Sequence, residues 1–301
     1  MQYQDMEVYK PKYDVVFKEI FLGDMDLLAS LLSSIMDIDI KAENMDILNT
    51  ELVPEYESGR LSRLDIRIKT ADRDFDLEMQ LNNRYNMDKR SVFYLSKLYI
   101  EQMTKSMKFK ELHSVVAINI LDFPYLSYKE YHNQYRLKNM RTDDELTDVI
   151  EIHFIELPKV CMADNVGMKD LWMMFLSAED GEALEMLSKK DPMIEKAVKR
   201  LVYVSADEKV RYDMAMREKA ELDYYNDISD SFDRGFDTGE AKGKAEGLAE
   251  GKAEGLAEGK AEGLAEGKAE IVRNMKMGNM TVDDIARLTK LSVAEVEKYF
   301  N

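Results

Sequence analysis

The sequence predicts an α/β domain ordered as helix, three antiparallel strands, helix, strand. Three observations lead there. Residues 63–80, RLDIRIKTADRDFDLEMQ, alternate apolar and polar side chains on both sides of a short polar break, as a hairpin with one buried face does. The flanking stretches 12–36 and 87–106 carry apolar residues at helical spacing. Residues 113–121, HSVVAINIL, are a nearly continuous apolar run bounded by polar residues, which fits a buried strand.

The elements follow in order. In 12–36 the apolar positions are Val16, Ile20, Leu27, Leu28, Leu31, Leu32 and Ile35, and Gly23-Asp24 divides the run into two helices. Residues 46–55, DILNTELVPE, read as a strand ended by Pro54. The hairpin comes next, with Thr70–Arg73 as its turn. The second helical stretch, 87–106, places Val92, Leu95, Leu98, Tyr99 and Met103 on one side. After the 113–121 strand and a polar connection comes a second buried-looking strand, 148–159. Residues 166 to about 230 suggest three or four packed helices, with Met as adaptable core filler.

Glycines recur every four residues from Gly235 to Gly267, nine of the fourteen in the chain, so this is a built repeat; its clearest unit is GLAEGKAE. Ala, Glu, Leu and Lys favour helix, each Gly costs about 1 kcal/mol relative to Ala, and glutamates four apart repel. Two readings stand: a flexible charged linker, or a helix whose glycine stripe admits a close neighbour. In 280–300, Thr281 with Asp284 and Ser292 with Glu295 fit capping boxes. They bracket a helix pair like a helix-turn-helix, although its near-neutral charge suits a packing or docking unit as well as a DNA reader. The expected organisation is therefore 1–160 core domain, 161–232 helical region packed on it, 233–270 repeat and 271–301 small C-terminal unit.

Composition limits function. The 301 residues allow one large domain or two smaller ones. The lone Cys161 excludes an intramolecular disulfide and a cysteine-based zinc site, and His113, His132 and His153 lack ligand spacing. No apolar run of 18 or more and no signal peptide is evident, so a cytoplasmic protein is expected. A net charge of −17 argues against general nucleic-acid affinity. Yet residues 60–110 hold 12 Lys and Arg against 7 Asp and Glu.

That basic window contains an odd pair. If facing hairpin residues sum to 143, Lys69 meets Asp74 and Arg67 meets Asp76, but Asp65 meets Glu78, with Cβ atoms about 4.5–5.5 Å apart. Two carboxylates so placed repel unless one is protonated or a cation lies between them. One reading is an exposed rung that is not optimised. The other is magnesium, which takes hard oxygen ligands and leaves positions for water and phosphate. Gln80 points to the same side as Glu78. A following helix with Arg84, Lys89 and Arg90 could receive a phosphate backbone.

This order of elements and acids resembles the PD-(D/E)XK nuclease core, and more narrowly the Rpn family of recombination-promoting nucleases and transposases. The matching stretches are 13–21, 64–70, 76–80, 89–103, 150–159, 171–177 and the glycine repeat. The resemblance implies that Asp65 and Glu78 are magnesium ligands, joined by the main-chain carbonyl of Met79. Gln80 would stand where the broad pattern has lysine. Glutamine can hold a water but carries no positive charge, so Lys89 or Arg90 would have to reach in, or turnover would be slow. Glu19 is a candidate extra ligand, Phe17 reads as core, and Asp14 and Lys18 match a family pattern with no derivable role.

The resulting expectation is a magnesium-dependent DNA endonuclease, a hydrolase linked to recombination or mobile elements. Its catalytic residues would be Asp65, Glu78 and Gln80, and its DNA contacts Arg84, Lys89 and Arg90. A dimer is expected, since cutting both strands needs two sites. The alternative is a weak or inactive nuclease-like binding or assembly protein.

Overall fold

The computed structural model describes residues 8–52, 62–83, 85–161 and 166–300; Pro54 and Arg84, singled out above, lie outside them. The chain divides into two compact units, Met1–Glu218 and Lys219–Asn301.

The first unit opens with α1 (Asp14–Leu22) and α2 (Met25–Met36). They are separate helices because the Asp24 carboxylate caps α2, accepting from the Asp26 and Leu27 N–H groups at 3.1 and 3.4 Å. Gly23 at the junction leaves room for the Arg200 guanidinium to reach the Glu19 carbonyl at 2.9 Å. Strands β1 (Asp46–Ile47), β2 (Glu51–Leu52), β3 (Ser62–Arg63), β4 (Ile66–Lys69) and β5 (Arg73–Gln80) follow. Next are α3 (Met87–Glu101), β6 (Ser114–Leu121), β7 (His132–Lys138) and β8 (Glu145–Glu156). Helices α4 (Met168–Ser177), α5 (Gly181–Ser188) and α6 (Pro192–Ala206) close the unit, together with the start of α7 (Glu208–Met277).

The main sheet is mixed and six-stranded, ordered β1-β4-β5-β6-β8-β7. β4 and β5 pair antiparallel, while β5–β6 and β6–β8 are parallel. On one face Phe17, Ile20 and Phe21 of α1 and the apolar side of α2 pack with Ile68, Phe75 and Leu77 and with Trp172 of α4. On the other, Leu95 and Leu98 of α3 lie on Val115 and Ala117.

Four features differ from the sequence expectation. The polar side of β5 is not solvated: Asp74, Asp76 and Glu78 are 2, 2 and 7 % exposed. Alternation records side-chain chemistry, and it does not reveal that a helix covers the polar side. The first strand is two short pieces, β1 and β2, each two residues long. Strand β7, read as a polar connection, is an exposed edge strand on β8, and its partly irregular register and polar surface leave no alternation to detect. In α3 the inward face is Met87, Ser91, Leu95 and Leu98, and Val92 points out at 52 % exposure.

The β7–β8 pairing holds a polar cluster. His153 contacts His132 ring to ring at 2.7 Å (Nδ1 to Nε2) and Glu151 Oε1 at 2.8 Å, and Arg136 donates to Glu151 Oε2 at 2.9 Å.

In the second unit the glycine repeat is part of the continuous helix α7. Among the described residues nothing lies within 4 Å of where a side chain would begin at Gly235 through Gly267. Helices α8 (Val282–Thr289) and α9 (Val293–Phe300) pack on the end of α7 through Val272, Ile285 and Val296. Both begin at the capping residues read from sequence: Thr281 Oγ1 accepts from Asp284 N–H, and Glu295 Oε2 accepts from Ser292 N–H at 2.9 Å. No helix among the described residues is long and apolar enough to cross a membrane.

Candidate active site

The β4–β5 hairpin adopts the register in which facing residues sum to 143, with Arg67 opposite Asp76 and Lys69 opposite Asp74. Its turn closes through Thr70 N–H to the Arg73 carbonyl at 2.8 Å and Arg73 N–H to Thr70 Oγ1 at 3.1 Å. The charged rungs do not close as expected, however. Arg67 turns to Glu101 of α3 at 3.0 Å, and one carboxylate oxygen of both Asp74 and Asp76 is buried without a hydrogen-bond partner.

At the other end of the hairpin the ladder slips. Ile47 faces Ile68 and Glu51 faces Arg63, four steps along one strand against five along the other. The extra residue makes a bulge at Leu64–Asp65, between β3 and β4. Leu64 consequently packs toward α3 while Ile66 packs toward α1 and α2. Asp65 leaves the regular ladder and locks onto β5 by two bonds. Its N–H donates to Glu78 Oε1 at 3.1 Å, and its Oδ2 accepts from Met79 N–H at 3.0 Å. Gln80 Nε2 donates to the other Glu78 oxygen at 2.9 Å.

These residues line a polar cleft of about 300 Å³ that also receives Asp14, Arg90 and Arg217. Arg90 is placed by α3, whose entry is tied to β6 by Ser91 Oγ donating to Asn119 Oδ1 at 2.8 Å. Asp14 opens α1 and is held by Lys18 one turn on at 2.7 Å and by Arg217 of α7. Lys18 also contacts Asp65 Oδ1 at 2.8 Å.

The carboxyls are crowded and dry, and their acidities show it. Burial, then Asp76 and Asp65, raise Glu78 well above the carboxylate range, against pulls from the Asp65 N–H and Arg90. Burial and Asp14 raise Asp65 despite Lys18. Burial and Asp65 push Asp76 up to about 8. Burial also opposes ionisation of Asp14, but Lys18 and Arg217 together hold it below its ordinary value.

Such a site favours a cation. Among the described residues no group of three or more His, Cys, Asp and Glu side chains is disposed to enclose a metal. Two carboxylates and the Met79 carbonyl on an open cleft instead suit a hard divalent ion that keeps water and phosphate in its remaining positions, so the residues fit.

A family model described as PD-(D/E)XK nuclease family transposase matches residues 11–231. The chain belongs to this family. No significant match to a curated protein or to a solved structure was found. Membership of the PD-(D/E)XK family places the protein among nuclease-type hydrolases, which typically use divalent metal ions.

Of the residues singled out in the sequence, Asp65, Glu78, Met79, Gln80 and Arg90 meet at this cleft. Lys89 is exposed on α3 and does not line it. Glu19 is also absent, because five residues on from Asp14 the helix has carried it about 140° around the axis. Asp14, at the start of the same helix, does line the cleft. Phe17 is fully buried core. Sequence reasoning missed Arg217, whose position 203 residues after Asp14 gives no local signal. The i,i+4 spacing of Asp14 and Lys18 was a usable signal, since it puts both on one helix face.

Proposed function

We propose that this protein is a magnesium-dependent DNA endonuclease that hydrolyses phosphodiester bonds, acting in recombination or mobile-element movement. The supporting observation is the interlock of Asp65 and Glu78 through each other's strand in a cleft that also holds cations. Asp65, Glu78 and the Met79 carbonyl would hold the magnesium. When bound, it would polarise the scissile phosphate and acidify a water. Gln80, fixed by its bond to Glu78, orients that water with its free amide valences.

Duplex would be drawn in along α3. Lys89, Phe93 and Lys97 recur at i,i+4 spacing, and the Lys97 ammonium lies 5.0 Å from the centre of the Phe93 ring, which is 54 % exposed. A basic, aromatic stripe of this kind beside Arg90 suits a phosphate backbone. A dimer would supply one such cleft per strand.

The test is cleavage of supercoiled, linear, branched and single-stranded DNA with and without magnesium, using the parent protein and Asp65→Ala. Magnesium-dependent cutting that Asp65→Ala abolishes, with melting unchanged, is the expected result. Equal cutting by both proteins, or none by either, ends the reading and leaves a nuclease-like binding or assembly protein.

A further inference from the structure

The cleft poses an electrostatic problem that Gln80 does not solve. When water adds to phosphorus and one P–O ester bond breaks, negative charge gathers on the phosphoryl oxygens and on the leaving oxygen. One water proton ends on the leaving alkoxide, and the other belongs to the new phosphomonoester. Fixed positive charge at those oxygens lowers the barrier, and Gln80 has none to offer. Among the described residues, three cations stand near the site. Lys18 is spent between two carboxylates, Asp14 and Asp65, and does not line the cleft. Arg90 also lines the cleft, but its guanidinium lies over Tyr94, 5.8 Å from the ring centre. Arg217 lines the cleft too, with its side chain 40 % accessible, and among the described residues it is anchored by Asp14 alone.

We infer that Arg217 is a catalytic residue of this site, the cation that meets the phosphoryl oxygens as charge develops. A guanidinium has five donors in a rigid fork, so one held by a carboxylate still presents others to phosphate, and it remains charged at any working pH. Asp14 is then a positioning residue: it aims Arg217, while Lys18 offsets the charge that Asp14 brings. This gives Asp14 and Lys18 a shared purpose, and it places a necessary group in α7, outside the sheet that carries the acids. The inference rests on the nuclease reading.

The test compares the parent, Arg217→Gln, Arg217→Lys and Asp14→Asn. Cleavage is measured at saturating DNA with magnesium, DNA affinity by anisotropy in EDTA, and magnesium affinity by calorimetry without DNA. Arg217→Gln is expected to slow cleavage by about 100-fold or more, as loss of one preorganised donor does. Its DNA affinity should fall less than about fivefold, and its magnesium affinity should rise severalfold because a neighbouring positive charge is gone. Arg217→Lys should recover at least tenfold of the lost rate. Asp14→Asn should slow cleavage while leaving DNA affinity in place.

Parent-like cleavage by Arg217→Gln overturns the inference alone. So does a rate loss that saturating DNA restores, since that marks a tether. If Arg217→Gln does not fold, Arg217→Lys decides: a rate no better than background, in a folded protein that binds DNA, overturns it. A parent that cuts no DNA removes the nuclease reading, and the inference falls with it.

Discussion

Replacing Asp76 with Asn is expected to stabilise the protein, increasingly so as pH rises. Asp76 is 2 % exposed, lacks a partner for one oxygen, and is pushed from 3.8 to about 8, chiefly by burial and then by Asp65, with Arg67 pulling the other way. The folded chain thus keeps a proton that the unfolded chain has released. Stability is fully present below the unfolded value near 4 and is lost as pH climbs toward 8, at about 1.4 kcal/mol per pH unit. By pH 7 that interval spans about three pH units, a cost of about 4 kcal/mol. Asparagine removes the ionisation but buries an amide with poor partners, at about 1–3 kcal/mol. The net gain at pH 7 is about 1–3 kcal/mol, and the two stability curves cross between about pH 4 and pH 6. Urea unfolding of both proteins from pH 5 to 8.5 in EDTA measures this through the midpoints. Parallel pH dependences, or a variant less stable than the parent at pH 8, would refute the reasoning.

Three further outcomes follow from the packing. Trp172→Ala should cost about 3–5 kcal/mol in chemical denaturation, because the side chain is fully buried and its Nε1 donates to Ser30 Oγ at 3.1 Å. Gly251→Ala and Gly259→Ala should each stabilise α7 by about 0.5–1 kcal/mol in thermal circular dichroism, since an added methyl meets nothing; destabilisation would show that the stripe needs its glycines. Burial, then His153, lowers His132 to about 4, below its unfolded 6.5. The unfolded chain therefore binds that proton first, and stability drains away as pH falls from 6.5 toward 4. His132→Gln should flatten this acid limb, and an unchanged limb in pH-dependent melts would count against a neutral, half-buried imidazole.

The register of the hairpin was legible because its charges and apolar residues repeat with period two, and a one-residue slip would have exchanged the faces. The helix break at Gly23-Asp24 and the caps at Thr281 and Ser292 were legible for the same reason: the signal and the structure it produces lie within a few residues. The sequence of elements and the acids Asp65 and Glu78 were likewise available from local pattern and family resemblance.

What surrounds those acids was decided elsewhere in the chain. No local pattern announces that α3 packs on the sheet face to which the polar side of β5 belongs, where Asp74, Asp76 and Glu78 are buried. None places the bulge that frees Asp65 from the ladder, since it depends on how β2 meets β3. None brings Arg217 to Asp14 across the length of a domain. Periodicity reports which face a side chain takes relative to its own backbone. The charge it feels, its acidity and its partners depend on what packs against that face, and only the folded chain sets that.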